Sequence, residues 1–227
     1  MSHPGRRAGR LVPHRQAAVL AIVVIAVLAV VVAACGGAAP GGASTTAGPI
    51  FVEAVTQPPM GSRQTAYDPP RPAPDIFLTD GDGHPFDLAS LHGSPVFVYF
   101  GYTHCPDVCP TTLADLRAGM KLAGLDAKVV FVTIDPARDD AAAMRQYTDY
   151  YQAGYIGLTG TAGQIADTAG AWGVTYAQLP SESANGYAMA HSTDVYLVDA
   201  VGQLRHHIFF GAGADLIAKL LTEVASD

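Results

Sequence analysis

The chain has 227 residues, 49% of them hydrophobic, with 13 basic residues against 20 acidic ones. That is enough chain to bury the core of one globular unit with appendages. Four of the basic residues, Arg6, Arg7, Arg10 and Arg15, precede residue 17, so the rest carries nine against twenty, a net charge of −11; a surface this acidic argues against nucleic acid or anionic lipid headgroups as partners.

Residues 1–16 contain no acid, and the run AAVLAIVVIAVLAVVVAA from Ala17 to Ala34 contains no charge. A positive start followed by an apolar run is the pattern of an export signal. The run closes in VAAC, small residues directly before Cys35, the pattern of cleavage ahead of a cysteine that is then lipidated on its thiol. About 18 apolar residues also suffice for an uncleaved membrane-spanning helix. Either way, the remaining chain is expected on the extracytoplasmic side of the cell membrane, anchored there by lipid or by the helix. Residues 36–49, GGAAPGGASTTAGP, read as a flexible tether, and the proline-rich stretch that follows prolongs irregular chain to residue 73.

The texture changes at Asp75. DIFLTDGDGHPFDL predicts two short strands around a DGDG turn. PVFVYFGY is a near-continuous apolar strand of the kind buried inside a sheet. PTTLADLRAGMKLAGL places Leu113, Leu116 and Met120 on one helical stripe, and KVVFVTID is a second buried strand. DDAAAMRQYTDYYQAG and TAGQIADTAGAWG predict helices, STDVYLVDA and QLRHHIFFG a hairpin around VGQ, and GADLIAKLLTEVA a closing helix. This order predicts an α/β domain over residues 74–227 with a central mixed sheet flanked by helices. It puts the loop THCPDVCP between a central strand and the next helix, the place where thioredoxin-like domains carry a dithiol.

Cys105 and Cys109 are the two cysteines left once Cys35 is assigned to the leader, and paired cysteines suit an oxidising compartment. Each is followed by proline, so either could cap the helix, with Pro110 a kink in the first case. Both arrangements hold a sulfur near exposed backbone N–H groups, which favour a thiolate. Spacing alone leaves open a disulfide, a redox-active dithiol and two ligands of a soft metal. A third ligand for such a metal would be imidazole. Among the histidines, His84 sits in a turn without an evident partner, His104 reads as a solvent-facing loop residue, and His206 and His207 point to opposite sides of one strand. His191 stands apart, because it ends the long loop LPSESANGYAMA immediately before STDVYLVD, at a strand entry expected beside the dithiol.

GYTHCPDVCPTTL, VVFVTIDPARD and HSTDVYLVD, in this order, make the chain similar to the Sco/SenC family of membrane-anchored copper proteins, from Pro74 to the C-terminus. The resemblance implies a thioredoxin-like fold that binds copper, Cu(I) or Cu(II), through Cys105, Cys109 and His191. It also implies a role in assembling the copper-bearing subunit of cytochrome c oxidase, with a copper donor protein upstream. Ala190 stands where many members carry an acidic residue, so no acidic neighbour of the histidine is expected from that position. Asp135 matches a recurrent acidic position, with an expected role in shaping the site. The same dithiol would also suit a thiol–disulfide oxidoreductase acting on the oxidase copper site or another exported protein, a reading in which His191 is dispensable.

Overall fold

In a computed structural model of the chain, the described residues are 63–151, 154–180 and 186–226. The expected leader, Cys35 and most of the expected tether lie outside them. Among the described residues no helix is long and apolar enough to cross a membrane.

Among the described residues ten strands form in chain order: β1 (Gln64–Pro72), β2 (Phe77–Asp80), β3 (Pro85–Asp87), β4 (Val96–Gly101), β5 (Lys128–Thr133), β6 (Tyr155–Thr159), β7 (Tyr176–Pro180), β8 (Tyr187–His191), β9 (Val195–Val198) and β10 (Gln203–Ile208). The α-helices are α1 (Val108–Ala123), α2 (Ala141–Tyr151), α3 (Ala162–Trp172) and α4 (Gly213–Ala225). Eight strands make one mixed sheet in the order β1-β10-β9-β4-β5-β6-β2-β3, while β7 and β8 pair only with each other. The parallel pairs are β4 with β5 and β5 with β6, each joined through a helix, and the remaining neighbours are antiparallel.

The centre of the sheet is set by apolar content. Every residue of β4 is buried, as are five of the six in β5, and each large side chain removed from water contributes about 1.5–3 kcal/mol. Adjacent residues of β4 point to opposite faces. Tyr99 stacks on Phe131 of β5, which stacks in turn on Tyr147 of α2, whereas Phe100 meets Trp172 of α3. Helices therefore cover both faces, and α4 buries Ile217, Leu220, Leu221 and Val224 where it packs against α1. Thr161 caps α3 through a reciprocal bond pair with Gln164.

Four details depart from the sequence reading. Gln64–Pro72, read as the end of an irregular tether, is an edge strand antiparallel to β10, with a register shift between Ala66 and Arg71. Prolines are tolerated there because an edge strand leaves one row of N–H positions unpaired. Tyr155–Thr159 is a strand that the sequence reading does not assign, and the flanks of the supposed long loop before His191 form the β7–β8 hairpin. Finally, neither cysteine caps α1. Asp107 occupies that position, without a side-chain cap bond, and Pro110 lies in the first turn, where a missing N–H costs nothing.

Candidate metal centre

The end of β4 delivers the cysteines. After Gly101 the chain turns, with the Cys105 N–H donating to the Tyr102 carbonyl at 3.2 Å, and enters α1 at Val108. Cys109 is thereby the second residue of the helix and fully buried, while Cys105 is nearly so. The Cys109 N–H donates to the Cys105 sulfur at 3.4 Å, so that sulfur partners a helix N–H that the Asp107 side chain does not reach. Gly101 is needed for this geometry. A Cβ there would lie 2.6 Å from the Phe131 ring and 2.7 Å from the Cys109 sulfur.

A buried carboxylate fixes the loop from below. Asp139 accepts from the Thr103 N–H at 2.9 Å, the Thr103 hydroxyl at 2.6 Å and the Thr133 hydroxyl at 2.7 Å. Its own carbonyl accepts from the Thr159 hydroxyl at 2.7 Å. One residue thus gathers the cysteine loop and the ends of β5 and β6. The ring of His104 is exposed, as expected, with Nδ1 3.6 Å from the Asp139 carboxylate.

The β7–β8 hairpin delivers the histidine. His191 Nδ1 lies 2.7 Å from the Ser192 carbonyl; a carbonyl can only accept, so Nδ1 carries the proton and Nε2 keeps its lone pair. That Nε2 lies 3.8 Å from the Cys109 sulfur, and the ring meets Tyr102 edge-on at 5.9 Å. A polar latch holds the hairpin. The Tyr187 hydroxyl donates to Asp135 at 2.7 Å, Arg138 Nε donates to the same carboxylate at 2.5 Å, and Arg138 also donates to the Tyr187 carbonyl at 3.1 Å. The guanidinium stacks on the Tyr187 ring at 3.7 Å. Asp135 accordingly ties the hairpin to the β5–α2 loop. Beneath the hairpin lies a cleft of about 560 Å³ bordered by Tyr176, Gln178, Tyr187 and Met189.

The structure brings Cys105, Cys109 and His191 together: their two sulfurs and one nitrogen all lie within 4.8 Å of one another. The cysteines are not bonded to each other. The hydrogen bond between the thiols drives the Cys105 thiol well below the usual range, helped by backbone N–H groups against the effect of burial. The same bond, together with burial, drives Cys109 up. Thiolate character is therefore favoured at Cys105 over Cys109, and a soft cation between these donors would draw the proton from Cys109 as well. Two thiolates and one imidazole suit copper or zinc by donor type. Among the described residues the other histidines stand apart from this group: His84 beside Asp80, His92 against Gly202, His207 bonded to Asp194 at 2.8 Å, and His206 buried between Gln64 and Glu223. Ala190 is exposed, and by strand alternation it points away from the face that carries His191.

Gly101, Tyr102, Arg138, Asp139 and Tyr187 were not singled out by the sequence reading. The bonds of Asp139, Arg138 and Tyr187 that tie the site run to residues 36, 49 and 52 positions away, and that of Tyr102 to Met189, 87 positions away; only Gly101, at the end of the apolar strand beside the cysteine motif, left a local trace.

Comparison with known proteins gives a consistent result. The profile described as SCO1/SenC matches residues 67–226. An SCO2-like protein of Rickettsia felis is 32% identical over 151 residues, which are 65% of this chain and 74% of that one. The crystal structure of Arabidopsis thaliana ScoI with copper bound superposes with a TM-score of 0.65 at 27% identity, covering 68% of this chain and 98% of the other. Bradyrhizobium japonicum ScoI with copper bound gives 0.58 at 32% identity, covering 67% and 98%. The fold is thus the thioredoxin-like α/β arrangement expected from the element order, and the chain belongs to the SCO1/SenC family.

Proposed function

We propose that this protein is a copper carrier for oxidase assembly. Cys105 and Cys109 hold the ion as thiolates, His191 adds its Nε2, and the ion is passed to the copper-bearing subunit of cytochrome c oxidase after loading by a donor protein. The observation that carries this reading is the convergence of the three donor atoms, with the lone pair of His191 free beside the Cys109 sulfur. Membership of a family with copper-bound structures supports the choice of metal, as does the softness of the donor set. Residues 1–35 act in this proposal as the export signal and anchor, with Cys35 as the lipidated residue, so that residues 74–227 work at the outer face of the membrane. Residues 36–73 supply reach, less the part of them that β1 takes into the fold.

The test is an anaerobic copper titration of the reduced protein, following sulfur-to-copper charge transfer. One-to-one saturable binding is expected, abolished by Cys105→Ser or Cys109→Ser and altered in spectrum by His191→Ala. Undiminished binding by Cys105→Ser would overturn the site.

A second reading, thiol–disulfide exchange, is favoured by the depressed Cys105 thiol, since an attacking sulfur must be a thiolate. It requires His191→Ala to reduce a protein disulfide at the wild-type rate while the parent shows no saturable copper binding.

A further inference from the structure

A continuous line of aromatic rings leaves the buried sulfur of Cys109 and ends in water. The Phe131 ring edge and the Cys109 sulfur border the same space beside Gly101, 2.6 and 2.7 Å from where a Cβ on that glycine would sit. From Phe131 the ring centroids step 5.4 Å to Tyr147, 5.2 Å to Tyr151 and 5.2 Å to Tyr150, all within contact range for aromatic pairs. Tyr150 is 82% exposed. Packing explains stacked rings, but it does not explain these hydroxyls. The Tyr147 oxygen is buried with the Tyr151 phenol as its polar neighbour, so the hydroxyl adds little to packing that phenylalanine would not supply. Tyr150, at the other end, contributes almost nothing to the core. A phenol kept where its hydroxyl adds little, leading to a phenol kept where it packs against little, fits a path for single electrons.

The geometry points to a second activity: one-electron oxidation of the thiol pair by an oxidant that reacts at the exposed Tyr150 face, remote from the loop where the sulfurs themselves are approached. The oxidant class is a strongly oxidising one-electron acceptor such as an organic peroxyl radical. It takes one electron from Tyr150, whose phenolic proton passes to water. Electrons then move outward along the line. Tyr150 regains an electron and a proton, and the thiol–thiolate pair is left with one electron fewer. The Cys109 thiol passes its proton to the His191 Nε2 beside it and on to water, the two sulfurs share a three-electron bond, and a second equivalent of oxidant removes the extra electron to leave a disulfide. In total a thiol and a thiolate lose two electrons and one proton, and two oxidant molecules are reduced. Tyr147 and Tyr151 are the intermediate stops, and Phe131, with no phenol to ionise, is a bridge between Tyr147 and Cys109. Tunnelling falls exponentially with distance, so short steps outrun a single jump across the same span. This activity is independent of whether copper is the cargo.

Pulse radiolysis of the full, reduced, metal-free chain tests it, with the azide radical as oxidant. The tyrosyl signal should decay at a rate independent of protein concentration, while the disulfide radical anion rises at the same rate. Tyr147→Phe, which keeps the ring and removes the phenol, should slow that matched step at least tenfold. Tyr150→Phe should remove the component that begins at the exposed ring, and because it alters only an exposed side chain it decides the matter even if the Tyr147 variant folds poorly. Decay that scales with protein concentration, or a matched step unchanged in both variants, would overturn the proposal.

Discussion

The two arms that meet at the site are held by different physics. The cysteine arm, from the end of β4 to the start of α1, is fixed by burial: the strand is apolar throughout, Cys109 is inaccessible, and Asp139 takes up the polar groups of the loop. The histidine arm is a two-stranded hairpin outside the main sheet, over an open cleft, held by Arg138, Asp135, Tyr187 and the Ser192 carbonyl. Isolated hairpins are marginal in water, so the latch decides how often His191 faces the sulfurs. The sulfurs keep their place whether or not it does.

Breaking the latch should separate the arms most. Arg138→Ala leaves the Asp135 carboxylate, which is 3% exposed, without its cation, and loss of one partner of such a pair costs about 3 kcal/mol or more. The expected outcome is a lower urea midpoint and weakened imidazole-dependent copper binding, with thiol-dependent binding retained. The converse cut is Gly101→Ala, whose methyl group must displace Phe131 or the Cys109 sulfur. Overpacking of this kind costs about 1–3 kcal/mol; a copper titration should show both sulfurs affected, while amide exchange of the hairpin stays as it was. A smaller effect is expected from Tyr187→Phe, which removes one hydrogen bond to a carboxylate. Hydrogen exchange should quicken about tenfold across β7 and β8, corresponding to about 1.4 kcal/mol of local opening, with α1 unchanged. If α1 loosens equally, the two arms are one cooperative unit and the comparison fails.

The smallest expected effect lies outside both arms. Burial lowers the pKa of His206 in the folded state, the neighbouring Glu223 pulling the other way and Arg205 reinforcing the shift. The unfolded chain then binds a proton that the folded chain resists, so stability rises with pH and is lost as pH falls through the ordinary histidine value of 6.5. Unfolding midpoints at pH 7.5 and 5.5 should differ by less in His206→Gln than in the parent, with the geometry of the site unaffected.

The same contrast explains what could be read in the sequence. β4, β5, α1 and the cysteine motif are legible because burial writes itself locally, as an apolar run and a helical stripe. His191 was found by its position before β9, but the hairpin that carries it was read as loop, since YAQLP and YAMAH lack β-branched residues and Gly186 interrupts them. Its latch joins Asp135 to Tyr187 across 52 residues, and nothing in either neighbourhood marks the pairing. β6 escaped notice for a related reason. Gly157 sits mid-strand and reads as a break, yet a Cβ there would lie 2.8 Å from the Met144 carbonyl, so the glycine lets α2 settle on the sheet. At β1 the prolines suppress the strand signal, and only a free edge in the sheet makes the strand possible.

Asp139 gives the site a timetable. The carboxylate that seats the cysteine loop is made 36 residues after Thr103, and the imidazole comes 82 residues after Cys109. A growing chain therefore presents two unseated thiols first, then a seated pair once β5 and the turn into α2 have folded, and the nitrogen donor only near the end. Chains that stop short of the hairpin would hold a dithiol with no third donor, a half-built receptacle able to exchange disulfides long before it could close around an ion.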